Sequence, residues 1–443
     1  MRVPRESHAD YHPAKRDPIE LLEQQAASRV PDLVPIRYGR MLATPFAFYR
    51  GAALVMASDL SSTPASGVQV QACGDAHLAN FGGFASPERD LVFDVNDFDE
   101  TLPGPWEWDV KRLAASFAVA GRDRGFDDRQ RRTALHAVVR SYREAMRSFA
   151  QLGNMDVWYS HMDLAMIDRW RAAASPKALK RFQAGVDKAK TKDSMRAFDK
   201  LTTRVDGKVQ LVSDPPLIVP LEEMLPGAKG DALRETLRSI VHTYSQSLPY
   251  DRQKLLESFN LVDFGRKVVG VGSVGTRAWI LLLTGRDGQD PLFLQAKEAE
   301  ASVLEAFVGK SKFDNHGRRV VEGQRLMQSA SDIFLGWVRA EGIDGKTRDF
   351  YVRQLWDAKA SANIEVMSPS TLNIYAEICG WTLARAHARS GDRIAIAAYL
   401  GKGSAFDQAI GEFSELYANQ SERDHQALAD AVKTGRVTAT TGI

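Results

Sequence analysis

Apolar and polar positions alternate over residues 67–73, with Val68, Val70 and Ala72 on one face, and this predicts a strand. A second short strand follows at Leu91–Val95. Residues 1–18 read as polar and flexible, and residues 19–30 as a helix ending before Pro31. Thr44 before Pro45 has the form of an N-cap followed by proline at the first helical position. A helix over about 107–121 follows Pro105. Residues 125–260 carry helical patterning with many long charged side chains. One hairpin interrupts them, with Asp206-Gly207 as its turn between 202–205 and 209–212. From Arg266 onward the pattern turns to strands: 278–283, ending in the turn Gly285-Arg286-Asp287-Gly288, then 292–297 and 349–355. A helix over 317–331 separates the last two, and helices near 371–389 and 405–434 close the chain. The class is α+β.

The loop between the first two late strands reads Gly270-Val271-Gly272-Ser273-Val274-Gly275. A G-x-G-x-x-G that opens a helix marks a dinucleotide fold. Here the next segment is aliphatic and stops at a turn after Leu283, so the glycines sit in a β-hairpin. That is the form in which kinases cover nucleotide phosphates, because glycine lets backbone N–H groups approach the oxygens. The following strand ends at Lys297, the position from which a kinase lysine reaches the α and β phosphates and a helix glutamate. Glu322 is the candidate partner, with Glu298, Glu300 and Glu305 as alternatives. On the bland reading, this is a tight hairpin with a solvent-facing lysine.

The early strands deliver different chemistry. Gly74-Asp75-Ala76-His77-Leu78-Ala79-Asn80 ends the first, and Asn96-Asp97-Phe98-Asp99-Glu100 ends the second. An Asp, an Asn five positions on and a second Asp closing an apolar strand have phosphotransfer spacing. Asp75 is the candidate base that orients an acceptor hydroxyl. His77 stands beside it, as a brace of the loop or a catalytic group. Asn80 and Asp97 are candidate magnesium ligands, and Asp99 adds a metal or outer contact. The sparse set suits magnesium, which keeps water and phosphate oxygens among its ligands.

Composition narrows the class. Lys and Arg total 58 against 56 Asp and Glu, a formal charge of +2, so nothing calls for a nucleic acid or an acidic partner. The run Arg129-Gln130-Arg131-Arg132 reads as a solvated helix face. Two cysteines, Cys73 and Cys379, are too few for a disulfide framework or a thiolate zinc site and suit a reducing compartment. No apolar run approaches the roughly 20 residues of a membrane helix, and the polar N-terminus shows no signal peptide. A cytoplasmic protein that does not bind membrane is the expectation.

These residues resemble a known superfamily. Gly74-Asp75-x-His77-x-x-Asn80 with Val95-Asn96-Asp97-Phe98-Asp99 looks like the catalytic core of the aminoglycoside phosphotransferase branch of the protein-kinase-like fold. Trp108-Asp109-Val110-Lys111-Arg112-Leu113-Ala114 resembles the helix that follows it there. Much of the chain, from about 35 to 430, also resembles a bacterial family known as domain of unknown function 2252. Arg40-Met41-x-x-x-Pro45-Phe46-Ala47-Phe48-Tyr49-Arg50-Gly51, Cys73 to His77, Asn96 to Thr101 and Val269 to Arg277 carry that likeness. The kinase resemblance implies a two-lobe fold, ATP and Mg2+ as cofactors, and transfer of the γ-phosphoryl group to a hydroxyl-bearing small molecule. A protein acceptor and adenylyl transfer are the variants. Gly270, Gly272, Ser273, Gly275 and Lys297 would cradle the phosphates, and Gln354 and Leu355 would lie in the hinge that reads adenine.

Kinases place the glycine loop before the catalytic loop; here it comes about 200 residues after. The order implies a circular permutation. Residues 1–150 would carry the catalytic loop and metal aspartate. Residues 151–262 would be a helical insertion, 263–358 the lobe with glycine loop and lysine, and 359–443 the remaining helices. Asp94 reads as a salt-bridge residue and Asp109 as a brace of the catalytic loop. Arg37, Arg40 and Arg50 could serve phosphate, acceptor or ion pairs. The rival readings are a nucleotide-binding regulator without turnover and a metal-dependent phosphoesterase. The second lacks the further Asn-His ligands that its chemistry needs. A calcium loop over 94–100 lacks its glycine and terminal glutamate.

Overall fold

The computed structural model describes residues 3–13, 15–162, 180, 194–206, 208–225, 230–268, 270–342, 344–355 and 360–443. The alternating segment becomes strand β1, Gln69–Ala72. It is followed by β2, Phe81–Ala85, β3, Leu91–Val95, and β4, Leu102–Pro105. β2 and β3 form an antiparallel hairpin, while β1 pairs with β4, so the two loops that leave β1 and β3 come together. The helix Trp106–Asp123 follows β4 and is buried along nearly its whole length, polar residues included. Against it lie the helices Asp128–Phe149, Pro369–Ser390 and Ala405–Lys433, whose apolar faces enclose the largest core.

The predicted hairpin is present as β5, Thr202–Val205, and β6, Lys208–Leu211; Gly207 of its turn lies outside the described residues. β7, Ile218–Pro220, β8, Asn260–Lys267, β9, Ala278–Thr284, and β10, Pro291–Ala299, join β11, Gly336–Glu341, and β12, Thr347–Gln354, in one antiparallel sheet. Its order is β11-β12-β10-β9-β8-β7. A short β13, Ala360–Ser361, pairs with β2.

β9 shows why this sheet is covered on both faces. Successive side chains of a strand point to opposite sides. Trp279, Leu281 and Leu283 enter one core with Leu294, Phe350 and Tyr244, while Ile280 and Leu282 enter another with Phe293, Ala197 and Leu201. Helices within residues 151–262 contribute to the cover on each face, and the same stretch supplies β7 and the first three residues of β8. That stretch is therefore woven into the sheet.

Two expectations are corrected. The N-terminal stretch is no free tail. Arg16 bridges Asp59 and Asp424, each at 2.6 Å, and His8 is fully buried. The first long helix runs Pro18–Ala26, with Asp17 as its N-cap, and stops well before Pro31. The class is α+β as predicted, and among the described residues no helix is long and apolar enough to cross a membrane.

Candidate active site

A polar stripe on a buried helix builds the first loop. Asp109, Arg112 and Ser116 stand at i, i+3 and i+7 of the Trp106–Asp123 helix, one face of an α-helix. Asp109 accepts from the N–H groups of Cys73 and Gly74 at 2.6 and 3.0 Å. Arg112 Nε donates to Asp75 Oδ1 at 2.6 Å, and Ser116 Oγ accepts from Leu78 N at 2.9 Å. Asp109 is itself held by His387, whose Nε2 lies 3.1 Å from it, and Tyr142 stands 2.8 Å from the other ring nitrogen. Gly74 is required by the turn: its φ is +78°, and a Cβ there would meet Glu100 O at 2.5 Å.

Asp75 and Asn80 are joined within the loop, since Asn80 Nδ2 donates to Asp75 O at 2.8 Å. Asn96 N donates to Asn80 O at 2.8 Å, tying this loop to the end of β3. His77 Nε2 lies 3.9 Å from Asp75 Oδ2, and its Nδ1 has no partner. Burial pushes the Asp75 carboxyl up to about 6, with Arg112 opposing and Asp97 adding to the rise. Burial, with Arg112 and Arg50 nearby, holds the His77 imidazole well below its usual range, hence neutral.

From β3, Asp97 accepts from Asp99 N at 3.2 Å in a local turn. Burial and the neighbouring Asp99 charge push Asp97 upward. For Asp99, burial is outweighed by Lys297, which pairs with Oδ2, and by the Tyr351 hydroxyl, 2.7 Å from Oδ1; the carboxyl is held down. Lys297 is 3% exposed, and its Asp99 partner overcomes the burial that would lower it. Register places it: on β10 it stands opposite Ala278 of β9 and Tyr351 of β12.

The glycines do lie in a hairpin, between antiparallel β8 and β9. Gly270, Gly272 and Ser273 line a cavity of about 150 Å³. Asp75, His77, Asn80, Asp97 and Asp99 line the same cavity. Gly275 is set back from it, with its carbonyl receiving Val30 N at 2.8 Å. Val274 is fully buried against Leu33 and Ile36, and Arg29 donates to its carbonyl. A Cβ at Gly272 would come within 2.9 Å of Arg50 O, so the loop lies directly on the Pro45–Gly51 helix end.

Three candidates are placed elsewhere. Glu322 does not reach Lys297. It lies 3.9 and 4.0 Å from Arg318 and Arg325, on their half-exposed face of the His316–Met327 helix. The face turned to the site carries Arg319, which donates to the carbonyls of Asp99, Thr101 and Glu300. Gln354 and Leu355 do not line the cavity, and both N–H groups are taken, by Asp332 and by Phe293 O. They therefore do not offer the free N–H donors expected of a hinge. Asp94 does form a buried ion pair, with Arg385 at 2.6 Å. Sequence reading missed the roles of Arg112, Tyr351 and Glu100. The signal for Arg112 was present, as polar residues spaced i, i+3 and i+7 in an otherwise apolar helix.

A family model described as an uncharacterized protein conserved in bacteria (DUF2252) matches residues 29–431. No curated protein and no solved structure matches the chain. The chain belongs to the DUF2252 family.

Proposed function

We propose that this DUF2252 protein is a phosphotransferase of protein-kinase-like, circularly permuted architecture that moves the γ-phosphoryl group of ATP to a hydroxyl of a small molecule. The observation that carries the reading is the shared cavity. The glycine hairpin and the Asp75, Asn80 and Asp97 set line one space, with Lys297 paired to the lining residue Asp99, although more than 170 residues separate the two groups. Sites are defined by geometry and not by chain order, so the permuted order is no obstacle. On this reading residues 1–150 and 359–443 form the lobe with the base and metal ligands, and 263–358 the lobe with the glycine loop.

The donor set fits magnesium. Asp97 is a half-buried carboxylate with no cation within ion-pair distance among the described residues. Asn80 spends its Nδ2 on Asp75 O, which leaves its carbonyl oxygen to coordinate. Asn80 and Asp97 would hold the ion, which when bound neutralises charge on the phosphates. Lys297 supplies a fixed positive charge from the opposite strand. Catalysis is then positioning and charge neutralisation. The acceptor oxygen bonds to the γ-phosphorus while the bond to the β–γ bridging oxygen breaks. The electron pair leaves with ADP, and Asp75 takes the hydroxyl proton. A cavity of about 150 Å³ is smaller than the ~300 Å³ typical of small-molecule sites, so on this reading the glycine loop from Gly270 to Arg277 lifts to admit a nucleotide.

Thermal-shift titration with Mg-ATP tests this on wild type and Asp97→Ala. A ligand that binds the native state raises Tm by mass action. A magnesium-dependent rise that Asp97→Ala loses supports the reading, and ADP release then screens acceptors. No rise at millimolar ATP overturns it. Binding without turnover on any acceptor marks the nucleotide-binding regulator instead.

A further inference from the structure

Three carboxylates of the cavity are each paired with a cation, and one guanidinium of its lining has no partner among the described residues. Asp75 is paired with Arg112, Asp99 with Lys297, and Glu298 with Arg277 and Arg348. Arg50 also lines the cavity. Among the described residues its guanidinium has no hydrogen bond or ion pair, and its buried Nε is without a partner. The charges nearest to it are those of Asp75 and Asp97. His77, 3% exposed, lines the same cavity with Nε2 3.9 Å from Asp75 Oδ2. A guanidinium left without a partner next to the proposed base forms a receptor awaiting an acceptor group.

We infer that the acceptor of this phosphotransferase carries an anionic group, a phosphate or a carboxylate, which Arg50 binds beside Asp75. The inference rests on the phosphotransferase reading and adds the substrate class. Asp75 already has Arg112, so Arg50 is not needed to balance it. A planar guanidinium with a fork of donors matches phosphate or carboxylate. An amino-sugar acceptor would bring ammonium groups against Arg50 and Arg112 and would be repelled. Arg37, wholly buried behind Arg50, fixes this wall by donating to Gly51 O at 2.8 Å and Gln25 Oε1 at 2.6 Å.

Calorimetry on the full chain tests the inference, with magnesium and the non-hydrolysable β,γ-imido analogue of ATP bound first. The probes are glycerol 3-phosphate, glycerate, glycerol and glucosamine. One of the two anions should bind roughly tenfold or more tightly than glycerol or glucosamine, as a charge-assisted hydrogen bond requires. Which anion wins identifies phosphate or carboxylate. Arg50→Gln should abolish the preference, Arg50→Lys should keep part of it, and both should bind the analogue as wild type does. Equal binding of all four probes overturns the proposal. So does an Arg50→Gln protein that loses the analogue by the same factor as the anion, since Arg50 would then serve the nucleotide. If wild type ignores the analogue while anion binding still depends on Arg50, the phosphotransferase reading falls and the anion site stands.

Discussion

Lys297 on β10 and Asp99 after β3, 198 positions apart, form an ion pair through which the buried lysine holds a carboxylate of the cavity lining. The Tyr351 hydroxyl completes it from β12. With the Arg353 bond to Asn96 O at 3.2 Å, the pair links the sheet that carries the glycine hairpin to the loop that carries Asp97.

Breaking that link from one side should cost more than removing it whole. Lys297→Met leaves Asp97 and Asp99 as neighbouring carboxylates without their buried cation, and should lower unfolding stability by roughly 3 kcal/mol. Lys297→Met combined with Asp99→Asn should be less destabilised than the sum of the single changes. Urea unfolding of the four proteins gives the coupling.

Asp75 must be ionised to take a hydroxyl proton. Burial pushes it to about 6, so the rate of ADP formation should rise with pH through about 6 and level off above it. Arg112 is the charge that opposes this rise. Arg112→Gln should therefore move the rising limb to higher pH as well as destabilise the loop. A limb that stays in place in Arg112→Gln would remove Asp75 as its source.

Glu100 offers a stability test of opposite sense to the usual carboxylate. Burial pushes it from 4.5 to about 7. The folded protein therefore binds this proton more tightly than the unfolded chain. The stabilisation is complete below about pH 4.5 and is lost as pH rises through about 7. Glu100→Gln, which can still accept from Val303 N, should be the more stable protein at pH 8 by about 1–3 kcal/mol, and the advantage should vanish near pH 4.5. Urea midpoints across that range read the difference.

The glycine loop is anchored by Val274, which packs in the pocket of Leu33 and Ile36. Val274→Ser should weaken that contact by about 1–2 kcal/mol and raise the population of the lifted loop. Limited proteolysis should cut within 270–277 faster, and the on-rate for Mg-ATP should rise if lifting is what admits it.

Much of this was legible locally. The aliphatic run that stops at Gly285-Arg286-Asp287-Gly288 decided strand over helix after the glycines, and β3 begins and ends where its pattern said. Asp75, Asn80 and Asp97 could be picked out because their spacing within one short region is itself the signal. Partners were not legible. Lys297 meets Asp99 through the register of β10 on β12 and the path of a loop nearly 200 positions away. Glu322 was misjudged because a helix phase of one residue separates its face from that of Arg319. The hinge donors failed for a similar reason, since Asp332 reaches Gln354 N across space.

The ion pair also sets a timetable. A ribosome releases Asp75, Asn80 and Asp97 early, yet their walls of Lys297, Tyr351 and Arg385 emerge only after two or three further hundreds of residues. Contacts of such separation carry a high loop-closure cost and form late. The nascent chain must therefore hold Asp97 and Asp99 open to water, without Lys297, until the sheet arrives. In this chain the cavity is finished late, and a chain stopped short of β12 has Asp75, Asn80 and Asp97 but lacks Tyr351, which holds Asp99 from the sheet.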